Sequence, residues 1–188
     1  MKIQNLKYKN NSLGFTLVEL LIALAIIAIL STILLGGFRS SQRRATDAQK
    51  KSDLKELANA LELIYSDYQQ YPSSSADGRI NGCPFVKTGA GAVNACTWGE
   101  KEDAMRDANG TIYFREIPED PTGASYYYRA INNNKAFQLY AHLDNTEDKN
   151  CINKDCAIPS PNGSNCGSGK NCNFAITSAN VTATEVGE

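Results

Sequence analysis

The run Leu13–Gly37, LGFTLVELLIALAIIAILSTILLGG, constrains this chain more than any other segment. It is apolar almost throughout, yet Glu19 stands near its front. An ionised side chain at the centre of a membrane helix costs about 2.5–3.5 kcal/mol on insertion scales, so such residues have a partner or a task. A secretory signal peptide has an apolar core of roughly 7–15 residues followed by a small-x-small cleavage site. This run is longer, and Leu34-Leu35-Gly36-Gly37 is a poor site of that kind. A plain signal anchor gives no reason for Glu19.

Gly14-Phe15-Thr16-Leu17-Val18-Glu19, set in that run behind a basic leader, closely resembles the type III signal sequence of type IV prepilins and of type II secretion pseudopilins. The close resemblance covers residues 12–71. It implies that a membrane-embedded aspartyl peptidase cuts after Gly14 and methylates the new terminus at Phe15. It also implies that Glu19 is the assembly carboxylate, neutralising the N-terminal amine of a neighbouring subunit as the fibre grows. Positions one helical turn apart share a face, so an intramolecular contact of Glu19 with the Phe15 amine is equally open.

Residues 1–14 carry Lys2, Lys7 and Lys9 and no acid. The chain has 19 basic and 20 acidic side chains, so losing three lysines leaves 16 against 20, near −4. A mildly acidic body gives no indication of nucleic-acid binding. The positive leader favours a cytoplasmic N-terminus. Arg39, Arg43, Arg44, Lys50 and Lys51 follow the span and oppose that pattern, so charge alone does not set the topology. The resemblance does, placing the leader inside and the body outside.

Six cysteines, Cys83, Cys96, Cys151, Cys156, Cys166 and Cys172, all lie after the span. An even count in an exported domain predicts disulfides. Six cysteines allow 15 pairings; Cys83 with Cys96 would close one loop and the other four would staple the C-terminal region. Zinc is disfavoured, because there is no CxxC pair and His142 is remote from any cysteine pair.

The pattern predicts one helix from Phe15 to about Tyr68, apolar all round over Leu20–Leu35 and amphipathic after Phe38. Its expected inner face is Ala45, Ala48, Leu54, Leu57, Ala58, Leu61, Ile64, Tyr65 and Tyr68. Fifty residues of helix measure roughly 75–80 Å, more than a bilayer needs, so the second half must pack on a domain. Gly36-Gly37 is either a soft point, where many pilins carry a proline, or a place of close helix packing. Pro72 ends the helix. Residues 76–109 read as loop. Tyr113–Ile117 reads as a short helix or strand end. Residues 118–123 (PEDPTG) form a turn similar to one before the sheet of many pseudopilin-like chains. Ser125–Ile131, a turn at Asn132–Lys135 and the alternating Ala136–Leu143 predict a hairpin with one buried face. Phe174–Val181 offers a last short strand.

The oxygen-rich stretch with Asp144, Asn145, Glu147 and Asp148 is the one calcium candidate, since some secretion pseudopilins bind calcium in the corresponding region. The spacing is not an EF-hand loop, and the family's acidic calcium motif is not recognisable, so a solvated acidic turn is the expectation. Asn109, Asn162 and Asn180 open glycan sequons, usually chance in a prokaryotic pilin. His142 has no nucleophile beside it in the sequence. No phosphate loop, hydrolase elbow or pair of catalytic carboxylates is present, so no enzymatic activity, catalytic residue or cofactor is expected.

The expected fold class is α+β: a long N-terminal transmembrane and amphipathic helix packed on a small antiparallel β-sheet, pilin-like, with disulfide-stapled loops. The expected segments are leader 1–14, membrane and assembly segment 15–37, amphipathic half 38–71, and variable loops with a C-terminal β domain over 72–188. The implied function is a structural subunit of a type IV pilus or pilus-like filament. The alternatives are a pseudopilin of a type II secretion system and a signal-anchored extracytoplasmic domain that does not polymerise. The implied partners are copies of itself and other pilins, the prepilin peptidase/methyltransferase, the membrane platform of the assembly machinery and the lipid bilayer. The implied location is the cytoplasmic (inner) membrane, single-pass with the N-terminus inside, then an extracytoplasmic filament.

Overall fold

The computed structural model describes residues 14–85, 94–99, 105–157, 160 and 163–185. The leader residues before Gly14 and the Asn162 sequon position lie outside them. One helix, α1 (Leu17–Tyr68), precedes five strands: β1 (Met105–Arg106), β2 (Ile112–Phe114), β3 (Tyr127–Ile131), β4 (Ala136–Ala141) and β5 (Phe174–Thr177). Two compact units result, residues 1–40 and 41–188.

In the first unit, α1 carries large apolar side chains that stay exposed, Leu17 at 79 % and Leu21 at 62 %, and Phe15 just before it is 85 % exposed. The run is apolar all round, so no face of it is left for water. Among the described residues no helix is long and apolar enough to cross a membrane. Leu30 and Phe38 further along are exposed as well, at 54 % and 67 %. The helical backbone is continuous at Gly36-Gly37.

In the second unit the helix becomes one-sided. Leu54, Leu57, Leu61 and Ile64 are fully buried, at three- and four-residue steps. The upper end of this stripe differs from expectation. Ala45 and Ala48 are exposed, and the buried positions there are Asp47 and Lys50. A polar pair continues the apolar stripe because polar atoms from the sheet side meet it. The helix ends where Gln69 takes a left-handed φ of 56° and its N–H donates to Tyr65 O at 2.8 Å.

The stripe packs on a three-stranded antiparallel sheet ordered β3-β4-β5. The turn Asn132-Asn133-Asn134 holds positive φ at all three residues, a conformation Asn tolerates through its short side chain. Tyr127 opposes Tyr140 and Ile131 opposes Ala136. β5 adds to the other edge of β4, Leu139 opposite Ile176. β1 and β2 form a separate small ribbon, so Ile112–Phe114 is strand, and the stretch expected as loop holds β1 near its end.

The expectation of one buried face holds only for half of β4. Phe137, Leu139 and Ala141 belong to the helix-side core. Gln138 and Tyr140 on the opposite face are also fully buried. The C-terminal segment covers them: Gln138 Nε2 donates to Thr182 O (2.7 Å) and Glu185 O (2.9 Å), and Tyr140 O–H donates to Ala183 O (2.8 Å). Alternation had implied solvent there. The C-terminal tail supplies the acceptors that let polar groups be buried at little cost.

Residues 74–80 lie along the outer edge of β3, where Tyr128 N–H donates to Gly78 O at 2.8 Å and Ala130 N–H to Ser74 Oγ at 3.3 Å. Gly78 has φ +78°, and a Cβ there would fall 2.2 Å from Tyr127 Cδ2. Gly110 has φ +88° with open space around it. Gly78→Ala therefore loses about 1–3 kcal/mol more than Gly110→Ala, which bears the backbone cost alone; denaturant midpoints of the detergent-solubilised chain measure the difference, and equal midpoints contradict it.

Candidate functional site

The N-terminal site begins at the first turn of α1. Thr16 precedes Leu17 and is the N-cap, which puts Glu19 at the third helical position. Glu19 Oε2 accepts from Thr16 N–H at 2.8 Å and from Thr16 Oγ1 at 2.8 Å, while Glu19 N–H donates to Thr16 Oγ1 at 3.3 Å. This reciprocal pair is a capping box. It satisfies backbone donors that a helix start leaves open, and an acid there also meets the positive end of the helix dipole. The carboxylate thus has an intrachain partner, Thr16. The Thr-x-x-Glu spacing carried that signal in the sequence. Phe15 and Gly14, just before the cap, are exposed.

A second polar constellation sits where α1 meets the end of β4. Lys50 is fully buried, and its Nζ lies 2.7 Å from His142 O, 3.1 Å from Asp144 Oδ2, 3.1 Å from Thr122 Oγ1 and 3.3 Å from Asp120 Oδ2. Asp120 uses its other oxygen to accept from Thr122 N–H and Oγ1 at 2.8 and 2.6 Å. One turn earlier on α1, the buried Asp47 accepts from Asp144 N–H at 2.9 Å and Asn145 N–H at 2.8 Å. Helix, β2–β3 loop and β4 end are therefore tied by one ammonium and one carboxylate.

This arrangement bears on the calcium candidates. Asp144 is shared by Lys50 and Lys170, the latter at 2.9 Å, and Asp148 is paired with Lys51. Asn145 and Glu147 lie beside them without joining a ligand set; among the described residues no group of three or more His, Cys, Asp or Glu is placed to hold a metal ion. The acidic turn is held by lysine ammoniums rather than solvated as expected. Burial raises the Asp144 carboxyl, but its bonds to Lys170 and Lys50 outweigh that and hold it below the usual range. Asp148 is likewise lowered on balance, by Lys51 and the Asn150 N–H against burial.

The six cysteines form Cys83–Cys96, Cys151–Cys156 and Cys166–Cys172, and none is free. His142 Nδ1 lies 2.7 Å from Asn171 O, a packing role. Asn109 is exposed at the β1–β2 turn, while Asn180 is engaged by Ser178.

An exposed apolar helix behind a capped Gly-Phe junction, continued by a helix packed on a small stapled sheet, defines a pilin-like subunit. The model of the prokaryotic N-terminal methylation motif matches residues 9–35. The type II secretion system core protein G of Pseudomonas aeruginosa is 28 % identical over 128 residues, 68 % of this chain and 80 % of that protein. The type IV wide pilus major component PilA4 of Thermus thermophilus is 38 % identical over 66 residues, 35 % of this chain and 50 % of that protein. The type IV major pilin protein PilA of Myxococcus xanthus is 35 % identical over 71 residues, 38 % of this chain and 31 % of that protein. No solved structure matches this chain. The methylation motif and these relatives together support a prepilin/pseudopilin family.

Lys50→Met removes one partner of a buried charge group and leaves the carboxylate of Asp120 without its cation. A loss of about 3–5 kcal/mol is expected, read as a lower denaturant midpoint; a change within half of one kcal/mol contradicts the assignment. The lowered carboxyls of Asp144 and Asp148 set the direction of the pH response. Their folded-state pKa values lie below the unfolded value of about 3.9. Their contribution is therefore complete above that pH and disappears as pH falls through the folded values. Melting temperature should fall as pH drops below about 4, and less steeply in Asp144→Asn; parallel curves for the two proteins contradict this.

Proposed function

We propose that this chain is made as a prepilin, cleaved between Gly14 and Phe15, N-methylated at Phe15 and polymerised through its apolar helix into a type IV pilus or pilus-like filament. The observation that carries this reading is the exposed apolar start of α1 with Glu19 in its first turn. The described apolar side chains of the segment are exposed on every face, so lipid and neighbouring helices are the two environments that suit it. Before assembly the chain sits in the cytoplasmic membrane, crossing once, with its leader inside and its disulfide-bearing domain outside.

Cleavage frees an amine at Phe15, beside the Thr16–Glu19 box. The Glu19 carboxylate then exchanges a hydroxyl and an amide for an opposite charge, which gains most where water is absent. The peptidase/methyltransferase, the assembly platform, other pilins and further copies of this chain are the partners of that sequence of events.

A second reading is favoured by one observation. The match to the secretion-system protein G covers 80 % of that relative and 68 % of this chain, whereas the two pilin matches cover 50 % and 31 % of those relatives and 35 % and 38 % of this chain. On that reading the filament is the short pseudopilus of a type II secretion system. Electron microscopy of cells with and without the gene separates the two: long surface fibres lost on deletion support the pilus, and a secretion defect without surface fibres supports the pseudopilus.

Mass spectrometry of membrane-isolated protein should show a terminus at N-methylated Phe15, and intact Met1 would overturn the processing. Glu19→Ala should be processed and inserted normally, with sheared-fibre yield lowered about tenfold or more, the scale of a lost charge pair. Undiminished yield would refute the role of Glu19.

A further inference from the structure

On the domain half of α1 two exposed cations share a flank with Glu62, whose carboxylate accepts from Tyr71 O–H at 3.0 Å. Arg44 and Lys55 lie three turns apart and so stack on one flank of the helix at about 3.6 residues per turn. Both are exposed, and neither makes an ion pair among the described residues. Their basic neighbours behave differently: Lys50 and Lys51 are consumed by Asp120, Asp144 and Asp148.

Asp53 and Glu56 are on the other flank. At about 100° per residue, Asp53 is roughly half a circle from Arg44 and Glu56 about a third. They border an open groove of about 470 Å³ whose far wall is Phe114–Glu119. Glu116 and Glu119 are exposed in that wall, and Arg115 is the single cation among the lining residues. No ion pair joins any of these charges among the described residues. Burial and the nearby Glu56 and Asp120 charges raise the Asp53 carboxyl, against its bond from Tyr126, as expected of a place short of positive charge.

The buried face with Leu54 and Leu57 separates the two flanks, so one copy cannot bring them together. A two-fold dimer pairs two different patches only when both lie in the one shared interface, and flanks about half a circle apart on α1 do not pair that way. A heterologous contact, repeated from copy to copy, does.

We propose that Arg44 and Lys55 of one copy dock against the Asp53/Glu56/Glu116/Glu119 groove of the next copy of this chain. The inference rests on the filament reading and names a lateral contact of that filament outside its apolar core. The contact is electrostatic and partly solvated. It steers and registers incoming subunits more than it holds them, and salt weakens it.

The test expresses the full precursor in cells that make the filament. Arg44→Glu with Lys55→Glu, and separately Glu116→Lys with Glu119→Lys, should each lower sheared-fibre yield about tenfold while the protein accumulates in the membrane with its disulfides formed. The four changes together should restore yield to within a few-fold of wild type. Fibre yield that neither reversal changes, or reversals that the combination fails to repair, overturns the pairing while leaving the filament reading intact. A wild-type chain that gives no fibre under any condition overturns the filament reading and this contact with it.

Discussion

A buried ammonium has to find oxygens, and the position of Lys50 follows from that need. Its four acceptors come from the loop before β3 and from the end of β4. Asp47, one turn away, fixes the backbone that follows β4 from the same side. The leucine stripe below this pair supplies non-directional attraction. It would tolerate a slip of the helix along the sheet. The polar pair does not tolerate it, because a slip strands charges in a dry place. Registry of helix on sheet is thus set by two charged residues above an apolar stripe.

The same logic applies on the far side of the sheet. Gln138 and Tyr140 point away from the helix and are buried nevertheless, because the chain end returns to give them carbonyl acceptors. Two of the disulfides lie in the region between β4 and β5, Cys151–Cys156 and Cys166–Cys172. That stretch is rich in Asn, Gly and Ser and buries little apolar surface of its own, and short covalent loops reduce the entropy its order would otherwise cost. Staples, tail and sheet together form a second layer that a three-stranded sheet alone would lack.

On the proposed reading, Glu19 serves at successive stages. In the intact chain it closes a capping box with Thr16. On the proposed reading it later meets an amine that does not exist until the leader is gone. The box costs nothing at that point, since a helix start already needs an acceptor, and it keeps the carboxylate ordered until the new charge appears.

What the sequence determined by itself was the local and the covalent. Uninterrupted apolarity over Leu20–Leu30, the Gly14-Phe15 junction, Thr16-x-x-Glu19, the alternation in β4 and an even cysteine count each follow from neighbours in the chain, so periodicity and spacing expose them. Tertiary structure alone decided the rest. Ala45 and Ala48 looked like the inner face, but Asp47 and Lys50 took it, because hydrogen-bond partners 72 to 97 residues further on reward buried charge there. The acidic turn at Asp144 looked solvated and became a lysine-held anchor for the same reason. Burial of Gln138 depended on a tail some 44 residues away. Such outcomes are sums over partners distant in sequence, and no local pattern contains them.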